Sequence, residues 1–384
     1  MIENGYMHSP LESFHIAHHA KMVPFAGWLM PLSYESERTE HTAVRSKAAL
    51  FDLSHMGEIV VEGKEASSYL NYHLVSDIGS IEVGRAKYTL CCEPDGSVLE
   101  DLIVYRIEDN AYLLIVNASN THVMAERFSG QHGFDVVAEN VSQKYALIAL
   151  QGPLALKILG TLTDEALPDM KYYSIVQINI RGIQCYIART GYTGEDGFEI
   201  LCTVESAETI AELLYSPYGN EESVMLAGLA ARDSLRLEAG MALYGNELSR
   251  EVNPFEAGLG RLVAFSKPET FVGKDALYAL KDSEPEKSLV GFEVDSGRPA
   301  RHGYVVLSPD SLPAGDSIPK DDEDPRTVGV VTSGAVSPTL HKSIGMAYIQ
   351  KDFCSEGQRI FIKVRDKQES AKIVKLPFYT RKRV

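Results

Sequence analysis

Hydrophobic periodicity restricts the fold of this chain more than any other feature, because from Glu58 onward it switches repeatedly between a period of two and helical spacing. EIVVE reads as a strand, Gly63 interrupts it, and KEASSYLNYHLV reads as a helix. Strands follow at 88–92 and 98–105 around the turn Glu93-Pro94-Asp95-Gly96, and a third at 112–117 completes a meander through Glu108-Asp109-Asn110. Ser119 and Asn120 are N-cap candidates for the helix THVMAERF, and FDVVA reads as a closing strand. A similar opening recurs at Tyr145, where YALIALQ runs into Gly152-Pro153 and the helix LALKILGTL, a weak internal repeat. The hairpin VQINI, Arg181-Gly182, IQCYIART, the loop GYTGEDG, the strand FEILCTV and the helix AETIAELLY complete this second unit, whose final helix spans about 227–239.

At 384 residues the chain exceeds one ordinary core and predicts two or three domains. With 45% hydrophobic and 23% charged residues, it belongs with globular rather than disordered chains. Asp282-Ser283-Glu284-Pro285-Glu286-Lys287 is the best linker candidate, and the strand-rich region beyond it predicts a small β-barrel or jelly roll. Within that region SPDSLPAGDSIPKDDEDPR is expected to be a solvated surface loop.

The 53 acidic against 37 basic residues give a formal charge of −16 without a Lys/Arg stripe, which argues against nucleic acid as a partner. Only Arg381-Lys382-Arg383 is locally basic. Cys91, Cys92, Cys185, Cys202 and Cys354 are odd in number and include no C-x-x-C pair, as fits a reducing compartment. The N-terminal residues lack a charged stretch leading into an apolar one, and no apolar run reaches the ~18 residues of a membrane span. A cytoplasmic protein not bound to membrane is expected.

The period of two puts Leu99, Asp101, Ile103 and Tyr105 on one strand face and turns Glu100 to the other. A carboxylate among apolar neighbours must be hydrogen-bonded or paired, or it neutralises, so Asp101 is either a structural acid or a functional one. Asn117 shares the face of Leu113 and Ile115, where its amide can serve a heterocycle or a turn. Arg232 and Arg236, four apart, share a helix face with Leu229 and suit a carboxylate ligand or internal pairs with Asp233 or Glu238. The three glycines of GYTGEDG describe either a close backbone approach to a ligand or an ordinary tight loop. His15, His18 and His19 form H-x-x-H-H in a predicted helix and His55 follows Ser54, but no further Cys/His/Asp cluster has metal-ligand spacing, and no metal site is expected. Neither a Walker loop, nor a dinucleotide fingerprint, nor a G-x-S-x-G elbow is present, so the chemistry must run on positioning and one or two carboxylates.

The segments MVPFAGWLMPLSY, FDLSHMGEI, SVLEDLIVYR, ALQGP, RTGYTGEDGFEI, LAARDSLRLEAGMALYGNE and VGVVTSGAVSPTL resemble, in order and over nearly the whole chain, the glycine cleavage T-protein family. The resemblance implies an α+β protein with three domains in a cloverleaf around a central folate channel and a C-terminal β-barrel or jelly-roll domain. It places a folate-binding region at 8–265, built of two intertwined domains with one at about 53–140, and the barrel at 288–380. The implied reaction is transfer of the methylene of an aminomethyl group on lipoylated H-protein to tetrahydrofolate, giving 5,10-methylenetetrahydrofolate and ammonia. Glycine decarboxylase and dihydrolipoyl dehydrogenase are the other implied partners.

By the same resemblance Asp101 is the essential acid beside the pterin, with Glu100 standing where many relatives have Asp. Glu199 in GFEI, Arg232 in LAARD and Tyr379 in LPFYT match ligand-binding positions, and Met56, Tyr88, Asn117, Tyr172 and Tyr192 would line the pterin pocket. Arg261 replaces a tryptophan of several relatives, a change expected to alter packing beside the folate; the sole tryptophan is Trp28. Two other readings share the fold: a folate-dependent demethylase, and a non-catalytic folate-binding module whose K-G-C-x-x-G-Q-E signature is absent here. Whether Asp101 takes the folate N5 proton or only stabilises positive charge stays open at this level.

Overall fold

The computed structural model describes residues 2–3, 5–130, 133–165, 167–219, 223–308, 327–364 and 367–381. All but the first residue of the predicted acidic surface loop, and Lys382 and Arg383, lie outside them. The chain divides into two compact units. One takes Met1–Cys92, Glu100–Asp233 and Ser266–Val272, and the other Glu93–Leu99, Ser234–Phe265 and Gly273–Val384.

In the five-stranded sheet the order is Val137–Asn140, Gly57–Glu62, Ala111–Val116, Val98–Glu108, Ala86–Cys92. The expected meander is there, and Gly57–Glu62 extends it by pairing antiparallel with Ala111–Val116. Alternation sorts the side chains sharply. Ile59, Val61, Leu102, Val104, Tyr112, Leu114 and Val116 are buried on one face, each aliphatic side chain contributing roughly 1.5–3 kcal/mol by leaving water. Val60, Asp101, Ile103, Ile115 and Asn117 are half-buried on the other. The registers Gly57 opposite Val116, carried one residue further, and Ile103 opposite Ile115, carried two, line up Met56, Asn117 and Asp101 across that second face.

The six-stranded sheet runs Ile175–Ile180, Ile183–Ala188, Gly197–Thr203, Tyr145–Gln151, Ala48–Asp52, Val224–Leu226, antiparallel except for the last pair. Its core holds Ile148, Leu150, Ile187, Phe198, Ile200 and Cys202 with Ile210 and Leu214 of the helix Ala207–Gly219. Because Phe198, Ile200 and Cys202 point into that core, Glu199 must point out of the opposite face. The weak sequence repeat has a backbone counterpart. Gly63 and Gly152, each ending a strand and leading to a helix, take φ of +141° and +127°, where a Cβ would run into the backbone of Asp135 and Lys47 respectively. The helix after Gly152 is shorter than LALKILGTL, covering Ala155–Leu159, and the last helix covers Leu229–Glu238.

The second unit carries a closed barrel in the order Lys287–Val294, Lys342–Gln350, Thr327–Ser337, Val305–Leu307, Arg359–Val364, Lys367–Val374. Lys287–Val294 pairs antiparallel with both Lys342–Gln350 and Lys367–Val374, which closes the ring and leaves no open edge. Phe292, Val331, Ile349, Ile360, Ile362 and Ile373 fill it. Of the two expected architectures the barrel is the one observed. In the same unit Arg236 donates from Nη1 to Glu247 Oε2 at 2.8 Å and from Nη2 to Ser333 Oγ at 2.7 Å, with both charged side chains at most 1% exposed. Its ion pair with Glu247 is one that the helical spacing did not indicate; Glu238 accepts from Ser337 and from the Thr339 amide.

Candidate active site

Eight of the nine residues singled out for the site, all except Tyr379, fall in the first unit, on its two large sheets, in the loops beside them or, for Arg232, in the helix Leu229–Glu238. Asp101 is half-buried and its carboxylate is held from two sides. Tyr88 Oη donates to Oδ2 at 2.9 Å, and Asn117 Nδ2 donates to Oδ1 at 2.9 Å. Burial and the Asp101 charge push the Tyr88 hydroxyl well above its ordinary pKa, so it stays a donor.

Glu100 is the more deeply buried of the two acids, a point the apolar face predicted for Asp101 did not bring out. It is fully buried, and its Oε1 accepts from both the amide and Nδ2 of Asn117 at 2.7 Å, while Oε2 accepts from Asn120 Nδ2. Burial, and next the neighbouring Asp101, push its carboxyl up to about 8 despite these donors. Asn120 does sit at the start of the helix Thr121–Arg127, but it makes no side-chain cap; its amide is committed to Glu100 instead. The signal available in sequence was the alternation itself, which sends Glu100 to the face where Leu102 and Val104 are also buried.

On the second sheet Glu199 Oε2 accepts from the Thr190 hydroxyl, and Tyr105 Oη, reaching over from the first sheet, lies 3.0 Å from Thr190 Oγ1 and 3.4 Å from that oxygen. Tyr105 and Thr190 were not anticipated; only their alternation with site residues hints at them. The loop 191–197 is a fixed structure rather than a slack one. Arg45 Nη1 donates to Thr193 O at 2.7 Å, and Arg189 grips Asp196 with Nε at 3.1 Å and Nη2 at 2.6 Å. Held this way, Tyr192 presents its ring to the Arg232 guanidinium, whose carbon lies 4.8 Å from the ring centre. Burial lowers the proton affinity of Arg232, opposed by Tyr192 and Glu199.

Tyr172 is 43% exposed and edge-on to Tyr173, with its carbonyl accepting from Arg85 Nη2 at 3.1 Å. Tyr379 lies in the second unit, where its amide donates to Glu238 O at 2.8 Å. Arg261 is solvent-exposed in the short turn Gly260–Leu262 of that unit.

The histidine run is divided between a short helix and the turn after it. Only His15 lies in a helix, Glu12–Ala17; His18 follows it and His19 has a φ of +58°. His15 is spent on structure, with Nε2 2.8 Å from Asp52 Oδ2 and Nδ1 2.8 Å from Tyr34 Oη. Asp52 is buried, which alone would raise its pKa, but His15, Ser9 and the Ser54 amide together bring it down to about 2. Among the described residues no group of three or more His, Cys, Asp or Glu side chains is placed to hold a metal ion, and no helix is long and apolar enough to cross a membrane.

His55 is buried beside Met56, its Nδ1 without a hydrogen-bond partner, and burial followed by the charge of Arg232 lowers its pKa to about 4. An unfolded histidine binds its proton near pH 6.5. Stability tied to His55 is thus fully present above about pH 6.5 and lost progressively as the pH falls towards 4, by about 3 kcal/mol at most. Urea titrations at pH 7 and pH 5 check this: the wild type should lose stability between them, and His55→Gln should lose clearly less.

Two carboxylates bridged by one asparagine, an arginine stacked on a tyrosine and a glutamate latched by hydroxyl groups are thus found in an α+β protein with a C-terminal barrel. The GCVT N-terminal domain model matches residues 11–267, and the glycine cleavage T-protein C-terminal barrel domain model matches 287–380. The aminomethyltransferase of Streptomyces avermitilis is 45% identical over 388 residues, covering 100% of both chains. That of Saccharopolyspora erythraea is 45% identical over 97% of this chain and 98% of its own. Among solved structures, the glycine cleavage system aminomethyltransferase T from Bartonella henselae superposes with a TM-score of 0.87 at 32% identity, covering 97% of this chain and 98% of that one. The chain belongs to the glycine cleavage T-protein family.

Proposed function

We propose that this protein is the aminomethyltransferase of a glycine cleavage system, and that its one-carbon acceptor is tetrahydrofolate. The observation that carries the chemistry is the Asp101 carboxylate, fixed by Tyr88 and Asn117 on a half-buried sheet face. In the reaction, bonds from folate N5 and N10 to the methylene replace its bonds to nitrogen and sulfur. The two folate N–H protons leave with ammonia and the lipoyl thiol. Positive charge grows near N5 as ammonia departs, and a carboxylate already held in place stabilises it without reorganising. The same oxygen is placed to accept the N5 proton.

Glu199 and Arg232 are assigned to the folate, with Met56, Asn117, Tyr172 and Tyr192 around the pterin and Tyr379 as a further contact. Holding folate and lipoyl arm together supplies much of the rate. Residues 8–265 are taken as the folate-binding region and 288–380 as the barrel domain. Lipoylated H-protein brings the aminomethyl group, glycine decarboxylase loads it, and dihydrolipoyl dehydrogenase reoxidises the arm. The cytoplasm is the assigned compartment, in keeping with five cysteines that all remain thiols. Mixing the protein with aminomethylated H-protein and tetrahydrofolate should release ammonia stoichiometrically with methylenetetrahydrofolate. Absence of ammonia with all three components present would sink the assignment.

A further inference from the structure

Asn117 Nδ2 has two hydrogens, and both are used: one on Glu100 Oε1 at 2.7 Å, the other on the Asp101 side, 2.9 Å from Oδ1 and 3.1 Å from the carbonyl. The reverse orientation would set the Asn117 carbonyl oxygen against two carboxyl groups, so the network itself decides which way the amide points. Asn117 Oδ1 then has no hydrogen-bond partner among the described residues, and it sits in the row of Met56 and Asp101 on the open sheet face. Glu100 holds Asn117 through the backbone amide as well as through the side chain.

We propose that Glu100 is a positioning residue: it turns the Asn117 amide so that Nδ2 holds Asp101 and Oδ1 is offered to the one-carbon acceptor as an acceptor-only group. The site thereby selects a reduced heterocycle that presents an N–H donor at that place. Glu100 itself, on the buried face, touches no substrate. The inference rests on the assignment of tetrahydrofolate as the acceptor.

The test compares wild type, Glu100→Leu and Glu100→Gln by equilibrium dialysis against tetrahydrofolate, without H-protein, and then by ammonia release with aminomethylated H-protein over a range of tetrahydrofolate. Leucine leaves the Asn117 amide held by Asp101 alone, free to turn about that one attachment, and should weaken tetrahydrofolate binding and raise its KM by about tenfold, the effect of one such hydrogen bond. Glutamine keeps an Oε1 that accepts both bonds from Asn117 and should recover binding to within about threefold of wild type. A Glu100→Leu protein that binds tetrahydrofolate as tightly as wild type overturns the proposal, as does Glu100→Gln binding as weakly as Glu100→Leu. Where Glu100→Leu yields no folded protein by thermal melt, Asn117→Asp replaces it, setting a third carboxylate against the other two; unchanged binding there is equally fatal. Dialysis and turnover separate the two readings. Variants that follow the expected order of binding while wild type releases no ammonia refute the reaction and keep the positioning role, and a wild type that binds no tetrahydrofolate overturns both.

Discussion

Asp101→Asn should fold, bind tetrahydrofolate within a few-fold of wild type, and release ammonia from aminomethylated H-protein on the order of 10²–10³-fold more slowly. Asparagine keeps the shape of the side chain and an oxygen for the Asn117 Nδ2 donor that now lies 2.9 Å from Oδ1. It loses the negative charge, and with it both the stabilisation of charge at the reacting nitrogen and the capacity to take a proton. Measuring kcat and KM separately distinguishes this from lost binding, since an interaction made only in the transition state lowers kcat and kcat/KM together. Turnover equal to wild type would remove Asp101 from the chemistry while leaving the family assignment standing.

The second large effect is on stability and belongs to the other unit. Arg236→Leu should destabilise the protein by roughly 3–5 kcal/mol, because it strands the Glu247 carboxylate at 0% exposure and leaves, among the described residues, the Leu243 amide, 3.0 Å from Oε2, as the donor to that oxygen. Ser333 also loses the guanidinium donor at 2.7 Å. Replacing both members, Arg236→Leu with Glu247→Leu, should recover much of the loss, since no charge is then left buried. Chemical denaturation of the two variants decides it: a single variant as stable as wild type contradicts the geometry described.

What the sequence showed and what it hid divide along a physical line. Asp101 was legible as an acid on an apolar strand face because strands place every second side chain on one face, whereas Glu199 came only from the resemblance carried by GFEI. The barrel was legible as a region of strands without helices, although closure was not, since it depends on Lys287–Val294 meeting Lys367–Val374 across the length of the region. Arg236 was visible as an arginine on a buried helix face, but its partner Glu247 is brought in by a loop and no helical spacing encodes it. Glu100 carried the least obvious message. An acid one residue from the expected functional one looks like its solvated neighbour, and only the pairing with Asn117 and Asn120 shows that it sits deeper. Tyr105 was legible only as a neighbour of Asp101 on one strand face: its hydroxyl is explained by Thr190, 85 positions along the chain.

That last contact bears on how quickly the enzyme can load its substrate. The hydroxyl of Tyr105 fastens the sheet carrying Asp101 to Thr190 beside the sheet carrying Glu199, through bonds made wholly within the protein. Two walls of the proposed folate site are thus already spaced before any ligand enters, so on that assignment capture of the pterin need not wait for a slow closing of one wall on the other. Tyr105→Phe keeps the ring and removes the latch; in stopped-flow experiments it should slow tetrahydrofolate association, turning a single encounter step into binding followed by rearrangement.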